Sequence, residues 1–84
     1  MEESRLDGNA AAGLLSEVFS ADVTAAVVRC AGCGTEGAVA TLMVYEHAPG
    51  TVLRCPGCDA VLMRFARIRG RLVADLRGVG TLTF

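Results

Sequence analysis

The chain has no lysine, no tryptophan and no glutamine, and one residue each of isoleucine, histidine, asparagine and tyrosine. Each scarcity excludes something. Eight arginines without a lysine, set against nine acids, give a formal net charge of -1, so no polybasic arm for nucleic acid is present. Charged residues make up 20% and hydrophobic residues 52%, the reverse of a disordered tail. No uncharged apolar run approaches the ~20 residues of a membrane-spanning helix. The sequence holds no Ser/His/Asp set, no paired-carboxylate site and no glycine-rich phosphate loop, so the chain reads as non-catalytic. Arginine in place of lysine, with thirteen alanines and one isoleucine, is the bias of GC-rich codons and reports a genome. The opening Met1-Glu2-Glu3-Ser4-Arg5 is acidic, unlike a secretory or transit leader, and a cytoplasmic location is the expectation.

All four cysteines fall in two Cys-x-x-Cys pairs, Cys30/Cys33 and Cys55/Cys58, with twenty-one residues between them. The pairs sit in a visible repeat: Arg29-Cys30-Ala31-Gly32-Cys33-Gly34 answers Arg54-Cys55-Pro56-Gly57-Cys58-Asp59. A tight turn lets two thiolates two residues apart point at one centre, and the glycines let backbone N–H groups approach the sulfurs. Two such knuckles face to face make a tetrahedral four-thiolate site, with the spacing of a structural zinc ribbon. Two disulfides are the alternative, and they suit secreted chains. Tetrahedral sulfur suits iron as well as zinc. The two cysteine strings also look like the iron loops of rubredoxin, whose aromatic core and strong acidity have no counterpart here. One zinc ion is therefore expected at Cys30, Cys33, Cys55 and Cys58, with iron as the alternative.

Around the cysteines the chain reads as a single domain over residues 1–84. Ala11, Leu14, Leu15 and Val18 recur at helical spacing. They predict a helix over 9–19, capped by Asp7 or Asn9, inside a helical segment spanning 1–22. Residues 23–84 form the ribbon and a C-terminal hairpin. Strands are expected at 23–29, 38–45, 51–54, 61–68, 71–76 and 79–84. Turns are expected at His47-Ala48-Pro49-Gly50 and Arg69-Gly70. The expected class is α+β, an N-terminal helix packed on a small antiparallel zinc-ribbon sheet.

Other residues invite a functional reading. His47 precedes Pro-Gly and reads as an exposed loop residue, since four cysteines already complete a site. Arg64, Arg67, Arg69, Arg71 and Arg77 form a candidate basic patch. No aromatic pair interleaves them, and Gly70 interrupts the strand that would align them. Solvated hairpin charge, paired with Asp75 or with the acidic first segment, is the favoured reading. The runs Leu42-Met43-Val44 and Val61-Leu62-Met63 are apolar on both strand faces. Their second face is either covered within the fold or free for a partner or a second copy.

The chain resembles a small uncharacterised bacterial family of zinc-ribbon proteins, a domain of unknown function. The resemblance lies in Leu6-Asp7-Gly8-Asn9-Ala10-Ala11-Ala12-Gly13-Leu14-Leu15, both knuckles, Ala48-Pro49-Gly50 and Asp75-Leu76-Arg77-Gly78, and it covers nearly the whole chain. Where the family carries an aromatic residue shortly before Asp-Leu-Arg-Gly, this chain has Leu72-Val73-Ala74. The resemblance implies a metal-binding domain with no assigned activity, accessory to an oxidoreductase system. The expected role is a protein-interaction or accessory module with a protein partner. Self-association is open, nucleic acid disfavoured and membrane excluded. A rubredoxin-like electron carrier and a nucleic-acid-binding ribbon are the alternatives, and oxidation of the thiolates as a redox switch stays open.

Overall fold

A computed structural model describes residues 4–47 and 50–84, with Ser4–Asp7, Asn9 and His47 described by backbone alone. The chain is mostly β. Its strands are β1 (Ser4–Asp7), β2 (Val27–Cys30), β3 (Glu36–Ala38), β4 (Met43–His47), β5 (Gly50–Arg54), β6 (Val61–Ile68), β7 (Arg71–Asp75) and β8 (Val79–Thr83). One short helix, α1, covers Ala12–Val18, and 3-10 turns cover Gly8–Ala11, Val23–Ala25 and Val39–Thr41. Every strand pair is antiparallel. The strands form a five-stranded sheet ordered β1-β4-β5-β6-β7 and a three-stranded sheet ordered β3-β2-β8. This corrects the α+β expectation of a helix on one ribbon sheet.

Two local breaks produce the second sheet. The apolar run at 38–45, expected as one strand, is interrupted at Val39–Thr41. There the Thr41 hydroxyl donates to Ala38 O at 2.6 Å and Leu42 N donates to Val39 O at 3.1 Å. The break sends Ala38 into the small sheet and Met43 into the large one. The chain returns through Leu76–Gly78. Asp75 accepts the Arg77 backbone N–H at 3.0 Å, and Val79 N donates to Leu76 O at 3.0 Å, which turns the strand aside. The Asp-Leu-Arg-Gly string is thus a crossover between sheets. At the other end, Ser4–Asp7, expected within a helical segment, pairs with β4 instead. The helix follows a 3-10 turn, with Ala11 at its N-cap and no side-chain cap bond.

Cross-strand partners share a face of a sheet. The row Val44–Leu53–Met63 is buried, and so is Phe65. The neighbouring row Tyr45–Val52–Arg64–Asp75 has no buried member. One face of the large sheet is therefore buried, and the other carries half-buried and exposed residues. α1 lies over the covered face, where Leu14 shares a cleft with Thr51, Phe65 and Leu72. A bulge in β6 opposite Leu53 and Arg54 explains why consecutive Leu62 and Met63 are both buried. The small sheet joins the same core through Val28, which lines a small cavity with Leu42, Cys55 and Leu62. No helix among the described residues is long and apolar enough to cross a membrane.

Candidate metal centre

The knuckles occupy corresponding places in the two sheets. Cys30 ends β2, and Cys33 lies in the connection to β3. Cys55 follows β5, and Cys58 precedes β6. Both hairpin connections close by the same backbone bonds. In the first, Cys30 N donates to Thr35 O at 2.9 Å and Gly34 N donates to Cys30 O at 3.0 Å. In the second, Cys55 N donates to Ala60 O at 2.9 Å and Asp59 N donates to Cys55 O at 2.8 Å. The residue after the second cysteine turns left-handed in each, with φ of 77° at Gly34 and 64° at Asp59. Aspartate is among the few non-glycine residues that tolerate this conformation. The arginine before each knuckle reaches the same place. Arg54 Nη1 donates to Asp59 O at 2.9 Å, and the Arg29 guanidinium lies beside Gly34.

The sequence repeat is thus a structural repeat, and it brings all four sulfurs within 4.8 Å of one another. Cys30 Sγ is 3.7 Å from Cys58 Sγ, and Cys33 Sγ is 3.7 Å from Cys55 Sγ. A disulfide would need ~2.05 Å. A tetrahedron of sulfurs ~2.3 Å from a central ion has edges of ~3.8 Å. The close pairs run between knuckles, so an ion held here ties the small sheet to the large one. Cys30 and Cys55 are buried in the core, whereas Cys33 and Cys58 are exposed. Backbone N–H groups turn toward the inner sulfurs: Cys33 N lies 3.5 Å from Cys30 Sγ, and Gly57 N lies 3.3 Å from Cys55 Sγ.

Thr35 is a site residue that the sequence reading missed. Its hydroxyl lies 3.0 Å from Cys33 Sγ and donates to that sulfur when it is a thiolate. The same hydroxyl is 2.7 Å from where a Cβ on Gly57 would stand, so glycine in one knuckle makes room for threonine from the other. A hydroxyl two residues after a cysteine is a faint sequence signal.

The thiols do not ionise equally. Cys33 is drawn down to about 6, first by the Thr35 hydroxyl and then by a backbone hydrogen bond from Thr35. Cys30 is lowered chiefly by the backbone N–H of Cys33. Cys58 is held down by the backbone at Ala60, but crowding by the Cys33 sulfur, loss of water and the Cys30 and Cys55 sulfurs outweigh this and push it up to about 12. A cluster that resists full ionisation by itself is what a divalent cation neutralises, with release of protons on binding.

The arginines of the candidate basic patch are distributed over both faces of the β6–β7 hairpin, its turn and the crossover that follows. Arg67 pairs with Glu17 on α1, and Arg77 grips Asp75 with bonds of 2.6 to 3.1 Å. Arg64 is the cross-strand partner of Asp75 on the open face, while Arg67 shares the covered face with Phe65. Arg69, at φ 53°, forms the turn with Gly70 at φ 77°, and Arg71 starts the returning strand. Two of the five, Arg67 and Arg77, are paired with carboxylates. Of the turn expected at 47–50, the His47 backbone and Gly50 pair as the ends of β4 and β5, and Ala48, Pro49 and the His47 side chain lie outside the described residues.

No curated protein and no solved structure is detectably similar to the chain. Residues 2–84 match the model of a family of unknown function, DUF6510.

Proposed function

The chain belongs to this family of unknown function, and we propose that it is a zinc-binding domain whose metal is structural and whose role is that of a protein-interaction or accessory module. The observation that carries the metal is the pair of 3.7 Å sulfur contacts between knuckles, at the edge length of a tetrathiolate tetrahedron. Cys30, Cys33, Cys55 and Cys58 supply four ligands, leaving no open position for water or substrate, which favours a structural role over a catalytic one. The module reading is supported by the open face of the large sheet, where Tyr45, Val52 and Ala66 are half-buried and Ile68 and Val73 exposed. An oxidoreductase system is the partner class that the family resemblance suggests.

The test is the metal content and visible spectrum of protein made in medium containing both zinc and iron. One zinc per chain and no colour supports the proposal. Iron with sulfur-to-iron absorption replaces it with electron transfer at the same cysteines. Oxidation of the exposed Cys33 and Cys58, with metal release, is read in the same preparation by titrating free thiols.

A further inference from the structure

The four cysteines have an inside and an outside. Cys30 and Cys55 are buried, and Cys33 and Cys58 are exposed. Within each knuckle a backbone N–H is turned toward the inner sulfur, Cys33 N toward Cys30 and Gly57 N toward Cys55. The sulfur that meets each inner sulfur comes from the other knuckle. Cys58 Sγ lies 3.7 Å from Cys30 Sγ, and Cys33 Sγ lies 3.7 Å from Cys55 Sγ. Each contact therefore joins one exposed cysteine to one buried cysteine. Each also spans from the β2–β3 hairpin of the small sheet to the β5–β6 hairpin of the large one. An accessible thiolate poised beside a second, resolving cysteine is the arrangement of oxidation-sensitive thiols. To reach the ~2.05 Å of a disulfide, each pair has to close by ~1.7 Å, which side-chain rotation can supply.

Resting on the zinc reading above for the reduced state, we propose that the two cross-knuckle pairs are a site of modification by hydroperoxides. Oxidation closes the disulfides Cys33–Cys55 and Cys30–Cys58, releases the metal and leaves the two hairpins joined. The outer thiolate, Cys33 or Cys58, attacks one peroxide oxygen. The O–O bond breaks, a sulfenic acid forms on the sulfur and hydroxide leaves. The buried thiolate beside it, Cys55 or Cys30, then attacks the oxidised sulfur. The S–S bond forms, the S–O bond breaks and a second hydroxide leaves. Per pair, two thiolates give up two electrons and one hydrogen peroxide becomes two hydroxides. Two peroxides thus convert the loaded centre into two disulfides, one zinc ion and four hydroxides. Thiolate is the metal ligand, so no ligand remains to hold the zinc. Disulfides closed within each knuckle would also release zinc, but they would leave the hairpins unconnected, as chelation does. The cross-knuckle contacts make oxidation a different event, in which a covalent tie takes the place of the metal tie.

The experiment titrates the metal-loaded chain with hydrogen peroxide, follows released zinc with a colorimetric dye, blocks free thiols and maps the disulfides by trypsin without reductant. The chain has no lysine, so cleavage after Arg29, Arg54 and Arg64 puts the first knuckle on peptide 30–54 and the second on peptide 55–64. The expected result is complete zinc release by about two equivalents of peroxide, from a chain that stays at 8.7 kDa. The two peptides are then recovered as one joined species, four hydrogens lighter than their sum. Its fragment spectra link Cys33 to Cys55 and Cys30 to Cys58. A thiol reductant separates the peptides and restores zinc binding. Separate peptides, each with a disulfide inside its own knuckle, overturn the proposal. So do a link from Cys30 to Cys55, sulfinic acids in place of disulfides, or zinc retained at excess peroxide. Metal content measured before peroxide is added tests the zinc reading alone, and the map tests the pairing.

Discussion

At the scale of single residues, backbone clearance decides more than side-chain chemistry. A Cβ at Gly78 would stand 2.0 Å from Val61 O, and one at Gly8 would stand 1.9 Å from Val39 O. Both neighbours are backbone and cannot swing away. At Gly13 in α1 a Cβ meets nothing within 4 Å. The two kinds of glycine therefore respond to alanine with opposite sign. We expect Gly78→Ala to destabilise the metal-loaded protein by about 2–4 kcal/mol. Gly13→Ala should stabilise it by about 0.5–1 kcal/mol. Urea titration of the two variants beside the parent chain checks both; equal effects would contradict the close approach at the crossover. The cysteine knuckles were legible in the sequence because their whole instruction lies within six residues. Thr35 was not, because its contact with Gly57 exists only once two distant hairpins have met.

At the scale of elements, the β6–β7 hairpin has the two-residue turn read from Arg69-Gly70, and β6 has the bounds expected of it. Both turn residues have positive φ, at 53° and 77°. Such a turn favours Asn-Gly, so Arg69 holds a conformation that suits it poorly. Arg69→Asn is expected to raise stability by about 0.5–1 kcal/mol. A thermal melt that falls would show that Arg69 makes a contact outweighing its backbone cost. Other elements were illegible for physical reasons. β1 is a strand because β4 offers it an edge, and nothing in Ser-Arg-Leu-Asp alternates. The break at Val39–Thr41 falls inside an apolar run and depends on a threonine hydroxyl that serves equally well in a strand. The expected helix survives as seven residues because docking, and not capping, holds it.

At the scale of the whole molecule, acid should act through the metal. Asp75 is held near 2 by hydrogen bonds and charge from Arg77, below its ordinary 3.8. Its contribution is therefore fully present above 3.8 and fades only as pH falls from there towards about 2. Thiolates must take up protons as the metal leaves, and they do so at higher pH. The acid-unfolding midpoint is accordingly expected above 3.8 and to shift downward with added zinc. A midpoint below 3.8 that added zinc leaves unmoved would place acid sensitivity in the Asp75–Arg77 ion pair.

Beneath these effects lies one claim, that a metal at Cys30, Cys33, Cys55 and Cys58 fastens the small sheet to the large one. Structural metal sites of this kind contribute on the order of 10 kcal/mol or more. The direct measurement is an amide NMR spectrum recorded while a chelator withdraws the metal. The expected result is concerted loss of native resonances from both sheets, Val28 with Leu53, and their return on adding zinc. A chain that keeps its native spectrum in both sheets with no metal bound would contradict the claim.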